Sequence, residues 1–373
     1  MTKFPEFRNF LASDLILTNI ATPGRMPSET KRAVTIHDVA KKAGVSFKTV
    51  SRVLNNEANV SVETQEKVRK AISALQYSPS IAARVLAGSR SFLIGLLYDT
   101  PSSYYTHSVQ MGALERCREA GFHLVLEKCD SQARNAAAAI LTTIRHTRLD
   151  GVILTPPLSD NYAIRESLVE QQILQVLISP PKLDAALASV YMNDRQAAFD
   201  MTQHLISLGH KRIGFIKGLS RHGAAMLRQL GYQDALKSSG IKPDEDMIKD
   251  GNFRFQSGAD AAEQLLTQNE PPTAIFASND EMAAGAVATA HRLGLSIPRD
   301  LSVAGFDDVP YASITWPALT TVHQPIVEMG AAAADLLIAG IQSKRHEPAE
   351  RARSISFRHD LKIRASTGPA PKH

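Results

Sequence analysis

Ser46, Lys48, Thr49, Ser51, Arg52 and Asn55 sit close together in VTIHDVAKKAGVSFKTVSRVLN, residues 34–55. They bring together hydroxyls, an amide and cations, the groups that bond phosphate oxygens and base edges. A helix needing only solubility would more often carry Glu beside its Lys. A second candidate is the pair Asp307 and Asp308 after SVAGF. Paired carboxylates can perform acid/base work or bind a metal, yet no His, Cys or further acidic residue clusters with them in sequence. Tyr104 and Tyr105, in DTPSSYY, could pack against a sugar ring or simply lid local core. Arg228, Phe253 and the pair Asn279–Asp280 complete the set; one of that pair serves as a helix N-cap by default. The chain lacks GxSxG, HExxH, GxxxxGK[ST], and GxGxxG after a strand, so no catalytic residue or cofactor is expected. Its 12 histidines are scattered without metal spacing.

The elements that must position these groups follow from caps and periodicity. Thr35, with Asp38 as its acidic partner, caps a first helix whose Val39, Ala40 and Ala43 share an apolar face. Gly44 breaks direction, and Ser46 caps a second helix over Phe47 to Leu54. Two helices so tightly joined predict a helix-turn-helix, whose second helix enters the DNA major groove. Ser61 starts a third helix, with Val62, Val68, Ile72 and Leu75 near one face, which Tyr77-Ser78-Pro79 ends. Ser80 to Gly88 reads either as a two-turn helix, marginal alone, or as a plain linker.

From Ser91 onward, apolar runs alternate with helical stretches. FLIGLLY, HLVLEKC, GVILTPP, LQVLISP, SVYMN, RIGFIKG, TAIFAS and SVAGF read as buried strands, which predicts parallel sheets covered on both faces. Eight strands in about 230 residues suit two sheets better than one. Ligands of such sheets bind beyond the carboxyl ends of the strands.

Charge is unevenly distributed. Residues 1–90 hold 14 Lys/Arg against 7 Asp/Glu, while the remaining 283 residues hold 28 against 30. The excess positive charge therefore belongs to the helix-turn-helix quarter, as in a polyanion-binding module on a near-neutral body. Cys117 and Cys129, the 2 cysteines, have neither CxxC nor disulfide-framework spacing and read as reduced, buried thiols in a cytoplasmic protein. No uninterrupted apolar run approaches the roughly 18 residues of a membrane span. In FLASDLILTNIA, Asp14 interrupts the apolar run and no small-residue cleavage site follows, so the segment does not read as a secretory signal. Residues 1–33 read as a disordered extension or as the product of an upstream start, with Met26 as an alternative initiator.

TIHDVAKKAGVSFKTVSRVLN resembles the N-terminal signature of the lactose/galactose repressor family of bacterial transcription regulators. The resemblance continues through VSVETQEKVRKAISALQYSPS and IAARVLAGSRS to about residue 365. It implies an all-α helix-turn-helix domain (34–78), a hinge helix (79–90) and a two-lobed α/β effector and dimerisation domain (91–365) resembling periplasmic binding proteins. Lobe 1 would span about 91–191 plus 323–342, lobe 2 about 192–322 plus 343–365, with three crossings and a disordered tail over 366–373. By resemblance Leu86 is the hinge wedge in the minor groove. Thr35, Ser46, Phe47, Lys48, Thr49, Ser51, Arg52 and Asn55 face DNA, and Tyr104, Tyr105, Arg228, Phe253, Asn279 and Asp307 face the effector. Two positions depart from the family. Ser179 stands where several sugar-sensing members carry an acid, and Phe47-Lys48 is an uncommon base-reading pair.

The expected function is an allosteric repressor of carbohydrate-use genes. Its expected partners are a near-palindromic double-stranded operator, a small sugar-like effector and a second copy of the chain, with no membrane and no metal. A solute-binding transport protein shares the fold, and an enzyme on α/β lobes comes third. Fold alone does not separate the three; residues 1–90 do.

Overall fold

The structure is a computed structural model and describes residues 34–54, 60–77, 90–99, 102–343 and 353–372. The chain divides into two compact units, 1–80 and 81–373. The extension 1–33, Asn55, and the hinge expectation over 79–89 with its Leu86 lie outside the described residues.

Among the described residues the first unit holds three helices, α1 (Ile36–Ala43), α2 (Phe47–Leu54) and α3 (Val62–Leu75). At the start of α1, the Thr35 N–H and hydroxyl both donate to Asp38 Oδ2, at 2.8 and 2.7 Å. Gly44 ends α1 at φ +67°, the left-handed region a Cβ disfavours. Ser46 Oγ accepts from the Thr49 N–H, and Ser61 Oγ from the Thr64 N–H. Val39, Ala40, Val50, Val53, Val68, Ala71 and Tyr77 form the core. Val62 was expected to share this core but is 73% exposed, because as the first residue of α3 it lies beyond the last packed turn.

In the second unit, β1 (Leu93–Tyr98), α4 (Ser103–Glu119), β2 (His123–Lys128), α5 (Ala136–Thr147), β3 (Gly151–Leu154), α6 (Tyr162–Glu170), β4 (Gln175–Ile178) and β5 (Ala188–Met192) open one lobe. The second lobe follows as α7 (Asp194–Ser207), β6 (Ile213–Lys217), α8 (Gly223–Ser238), β7 (Ile248–Asp250), α9 (Phe255–Leu266), β8 (Ala274–Ala277), α10 (Asp280–Arg292), β9 (Ser302–Asp307), α11 (Pro310–Ile314) and β10 (Thr320–His323). Helix α12 (Ile326–Ser343) returns to the first lobe, and β11 (Ser354–Phe357) and β12 (Asp360–Lys362) end the order. The sheets run β11-β5-β4-β3-β1-β2 and β12-β10-β9-β8-β6-β7. Among the described residues every pairing is parallel except β10 with β12. The chain thus passes between lobes after β5, after β10 and between β11 and β12.

Three expectations need correction. Residues 343–365 do not all belong to the second lobe, because β11 pairs with β5 in the first sheet. The tail 366–373 is not disordered as far as it is described. Ser366 is fully buried, its hydroxyl donates to Val303 O and its oxygen accepts from the Thr320 N–H; Ala370 N–H reaches Leu208 O. Strand β2, read as buried, is an edge strand whose side chains are exposed or half-buried. Helix α12 is long and apolar enough to cross a membrane by composition, but Met329, Ala333, Leu337 and Ile341 sit in the first lobe's core.

Candidate functional site

On α2, Lys48 and Arg52 are exposed, Thr49 and Ser51 half-buried, and Phe47 is exposed with its ring tilted against His37 at 5.4 Å. Thr35 and Ser46 were placed among the DNA-facing groups, yet their hydroxyls are engaged in the helix caps described above. Their first task is to fix where the helices begin.

The second site lies between the two lobes. Ser102, Tyr105, Pro156 and Ser179 from one lobe meet His222, Ala224, Arg228, Phe253, Asn279 and Asp307 from the other around a cavity of about 40 Å³. That is room for a few waters, since one needs roughly 10–15 Å³ in this measure. Most of these residues stand where strands end: Ser179 directly follows β4, Asn279 lies just past β8, and Asp307 closes β9.

Arg228, on α8, is the hub of the second lobe's wall. Its Nε donates to Asp194 Oδ1 at 2.9 Å, and its Nη1 donates to Ser278 O and, at 3.5 Å, to Asp307 Oδ1. The guanidinium lies 3.6 Å above the Phe306 ring, a cation–π contact. Gln324 Nε2 adds a 2.7 Å hydrogen bond to Asp307 Oδ1. Burial pushes the Asp307 carboxyl up to about 6, against the pull of Arg228. Asn279 Oδ1 caps α10 by accepting from the Met282 N–H, and its Nδ2 donates to Phe253 O. One amide therefore starts a helix and fixes the aromatic beside it. Phe253 packs closely on Gly218, where a Cβ would come within 2.0 Å of its ring.

Three cavity residues carry backbone strain. Ser179, Phe253 and Asp307 adopt φ of 47°, 68° and 106°, conformations that cost side-chain-bearing residues about 1–3 kcal/mol each.

Five of the six expected effector residues line the cavity. Tyr104 does not: it packs edge-on against Tyr311, with ring centroids 5.3 Å apart. Neighbours on a helix point about 100° apart, so only one tyrosine of the pair can face the cleft. Burial holds the Tyr105 phenol well above its usual range. The paired-acid reading of Asp307 and Asp308 dissolves as well. Asp308 turns to Arg364 at 2.6 Å and His323 at 3.0 Å, while Asp307 faces the cavity. Asp280 is wholly buried; it accepts from Thr321 Oγ1 and the Val309 N–H, and burial holds its carboxyl well above the usual range. Its work is to tie α10 to the sheet. Among the described residues, no group of three or more His, Cys, Asp or Glu could hold a metal ion.

Sequence reasoning missed His222. It is 5% exposed, and its Nε2 has no hydrogen-bond partner among the described residues. Burial, with the charges of Arg221 and Arg228, pushes its pKa down to about 4, so a neutral ring faces the cavity at pH 7. The signal was present: His222 follows RIGFIKG in the loop at a strand's carboxyl end.

The profile of the bacterial regulatory proteins of the lacI family matches residues 35–80, and that of the periplasmic binding protein-like domain matches 202–367. The transcriptional regulator DegA of Bacillus subtilis is 33% identical over 90% of this chain and 98% of its own length. Catabolite control protein A of Priestia megaterium is 32% identical over 90% and 99%. The chain belongs to the LacI family. This LacI-family protein shares its fold with a lac repressor dimer bound to operator (TM-score 0.74, 28% identity, 90% of this chain and 100% of that one) and with a regulator CelR–cellobiose complex (0.67, 28%, 89% and 99%). It is a DNA-binding transcriptional regulator rather than a transport protein, as its full-length relatives are regulators.

Proposed function

We propose that this regulator is a dimeric repressor, without enzymatic activity, that binds a near-palindromic operator through α2 and releases or grips it in response to a neutral, polyhydroxylated effector in the interlobe cleft. The observation that carries the reading is the convergence of buried polar groups on that cleft: His222 Nε2 unpartnered, Asp307 on a strained backbone, Arg228 already neutralised by two carboxylates. Such a wall has no spare positive charge for an anionic ligand. It offers donors and acceptors side by side, which suits hydroxyls that both donate and accept. Tyr105 and Phe253 supply flat apolar faces. A cellobiose complex and a ribose complex among similar structures support the same ligand class.

The mechanism is a population shift: an effector that prefers one degree of lobe closure changes operator affinity by that preference alone. The protein acts in the cytoplasm, on the nucleoid when operator-bound. Residues 34–78 form the DNA-binding domain, 79–90 the hinge and 91 onward the effector body. The test is operator binding over a salt series, with and without a panel of mono- and disaccharides. Binding that falls steeply with salt and responds to one sugar supports the reading; a salt-independent or wholly unresponsive protein overturns it.

A further inference from the structure

Helix α8 begins at the cleft and lacks a cap of its own, since its N-cap residue His222 makes no side-chain cap hydrogen bond. The first N–H of the helix, that of Gly223, is instead satisfied from the other lobe: Asp160 Oδ2, in the loop between β3 and α6, accepts it at 2.8 Å. Beside it, Pro181 of the first lobe presses on the same glycine. A Cβ built on Gly223 would fall 2.3 Å from the Pro181 Cβ. Both contacts exist only while the lobes are together, and both bear on the helix that carries Arg228.

We propose that Asp160 is a positioning residue that latches the closed cleft by capping α8 across the lobe boundary, with Gly223 beside it leaving room for Pro181, which a Cβ there would displace. A free helix N-terminus leaves donors unsatisfied and a partial positive charge exposed. Opening the cleft uncaps α8; closing it restores the cap. The helix bearing Arg228 is thereby bound to the closure state. An effector wall and a closure latch on one helix give ligand occupancy a direct mechanical route to lobe position. This consequence rests on the cleft being the effector site, whereas the latch itself does not.

Amide hydrogen exchange on the full chain, without DNA or effector, tests it, so the latch and the effector reading can fail separately. Asp160→Ala removes the acceptor, and exchange in peptides covering 219–227 and, across the cleft, 176–187 is expected to rise about tenfold, the scale of one lost cap. Asp160→Asn keeps an acceptor oxygen and should stay within about twofold of the native chain. Gly223→Ala, which forces Pro181 away while favouring helix locally, should accelerate both peptides as Asp160→Ala does. Native exchange in 219–227 for Asp160→Ala, acceleration confined to 155–165, equal acceleration by Asp160→Asn, or native exchange in Gly223→Ala would each overturn the latch.

Discussion

Arg228 shows how far a single side chain's role depends on its partners. Sequence and resemblance presented it as the arginine that grips the effector. The structure adds that it also neutralises Asp194 and Asp307 in a buried site. Removing one member of a buried ion network leaves uncompensated charge and costs roughly 3–5 kcal/mol. Arg228→Ala should therefore unfold at markedly lower denaturant concentration, and its lost effector response would not by itself identify the ligand site. Asp307→Asn separates the two roles. It keeps the shape and an acceptor, so we expect native-like unfolding and operator binding with effector affinity reduced several-fold to a thousandfold. Wild-type effector response in that variant would exclude Asp307 from the site. His222 gives a pH test. Its folded pKa of about 4 lies below the ordinary 6.5, so its neutral form contributes stability that is present above 6.5 and is lost as pH falls towards 4. Asp307 and Asp160, both raised to about 6, act in the opposite sense, destabilising the fold above that pH and relieving it below. Whole-protein pH profiles mix these terms. The difference between native and His222→Gln isolates one, and the variant should lose about 1–2 kcal/mol less stability between pH 7 and pH 5. Parallel losses in urea titrations at the two pH values would show that His222 is not held neutral.

At the scale of elements, what was legible in the sequence were those features with a local cause. The helix-turn-helix was readable because caps and turn lie within a few residues of what they cap: Thr35 with Asp38, Gly44 at positive φ, Ser46 with Thr49. The parallel sheets were readable because eight strands are apolar runs. What escaped had a distant cause. Strand β11 joins the first sheet through β5, and β12 runs antiparallel to β10; both are short and partly exposed, so neither leaves an apolar run. The polar tail residue Ser366 is buried because Val303 and Thr320 provide partners more than 40 residues away. Of the cleft, five of the six expected residues line the cavity, while His222 and the Asp160–Gly223 contact required the two lobes in place. On α2 the division between holding and reading can be measured. Lys48→Ala should change base preference at a cost of about 1–3 kcal/mol. Ser46→Ala should leave preference unchanged and lower affinity for all sequences alike, through a loss of about 1 kcal/mol of helix stability. Selection of preferred operators from a random pool by both variants decides; an unchanged preference for Lys48→Ala would mean that another part of α2 meets the bases.

For the molecule as a whole, the question is what assembles with what. A near-palindromic operator is matched by a two-fold protein, so the regulator needs two copies for both recognition helices to engage. A larger assembly would need a further contact surface, and the described C-terminal residues are already committed within one chain. Gly368 O accepts from His210, whose ring also lies between Thr273 and Ser302, and the Gly368 N–H donates to Ser302 Oγ. Arg364 reaches Asp308 and the Leu319 carbonyl. Residues 364–372 thus pack along the second lobe. Light scattering at micromolar concentration should give twice the chain mass without operator, and that mass plus one duplex with it; four copies of the chain in either case would contradict it. Tail deletion supplies the complementary measurement. Removing 364–373 should lower the melting temperature by unsealing β9 and β10, where Ser366 bridges Val303 and Thr320, yet leave the mass at two copies. If deletion instead splits the protein into monomers, the tail belongs to the dimer contact and its packing on the second lobe has a different purpose.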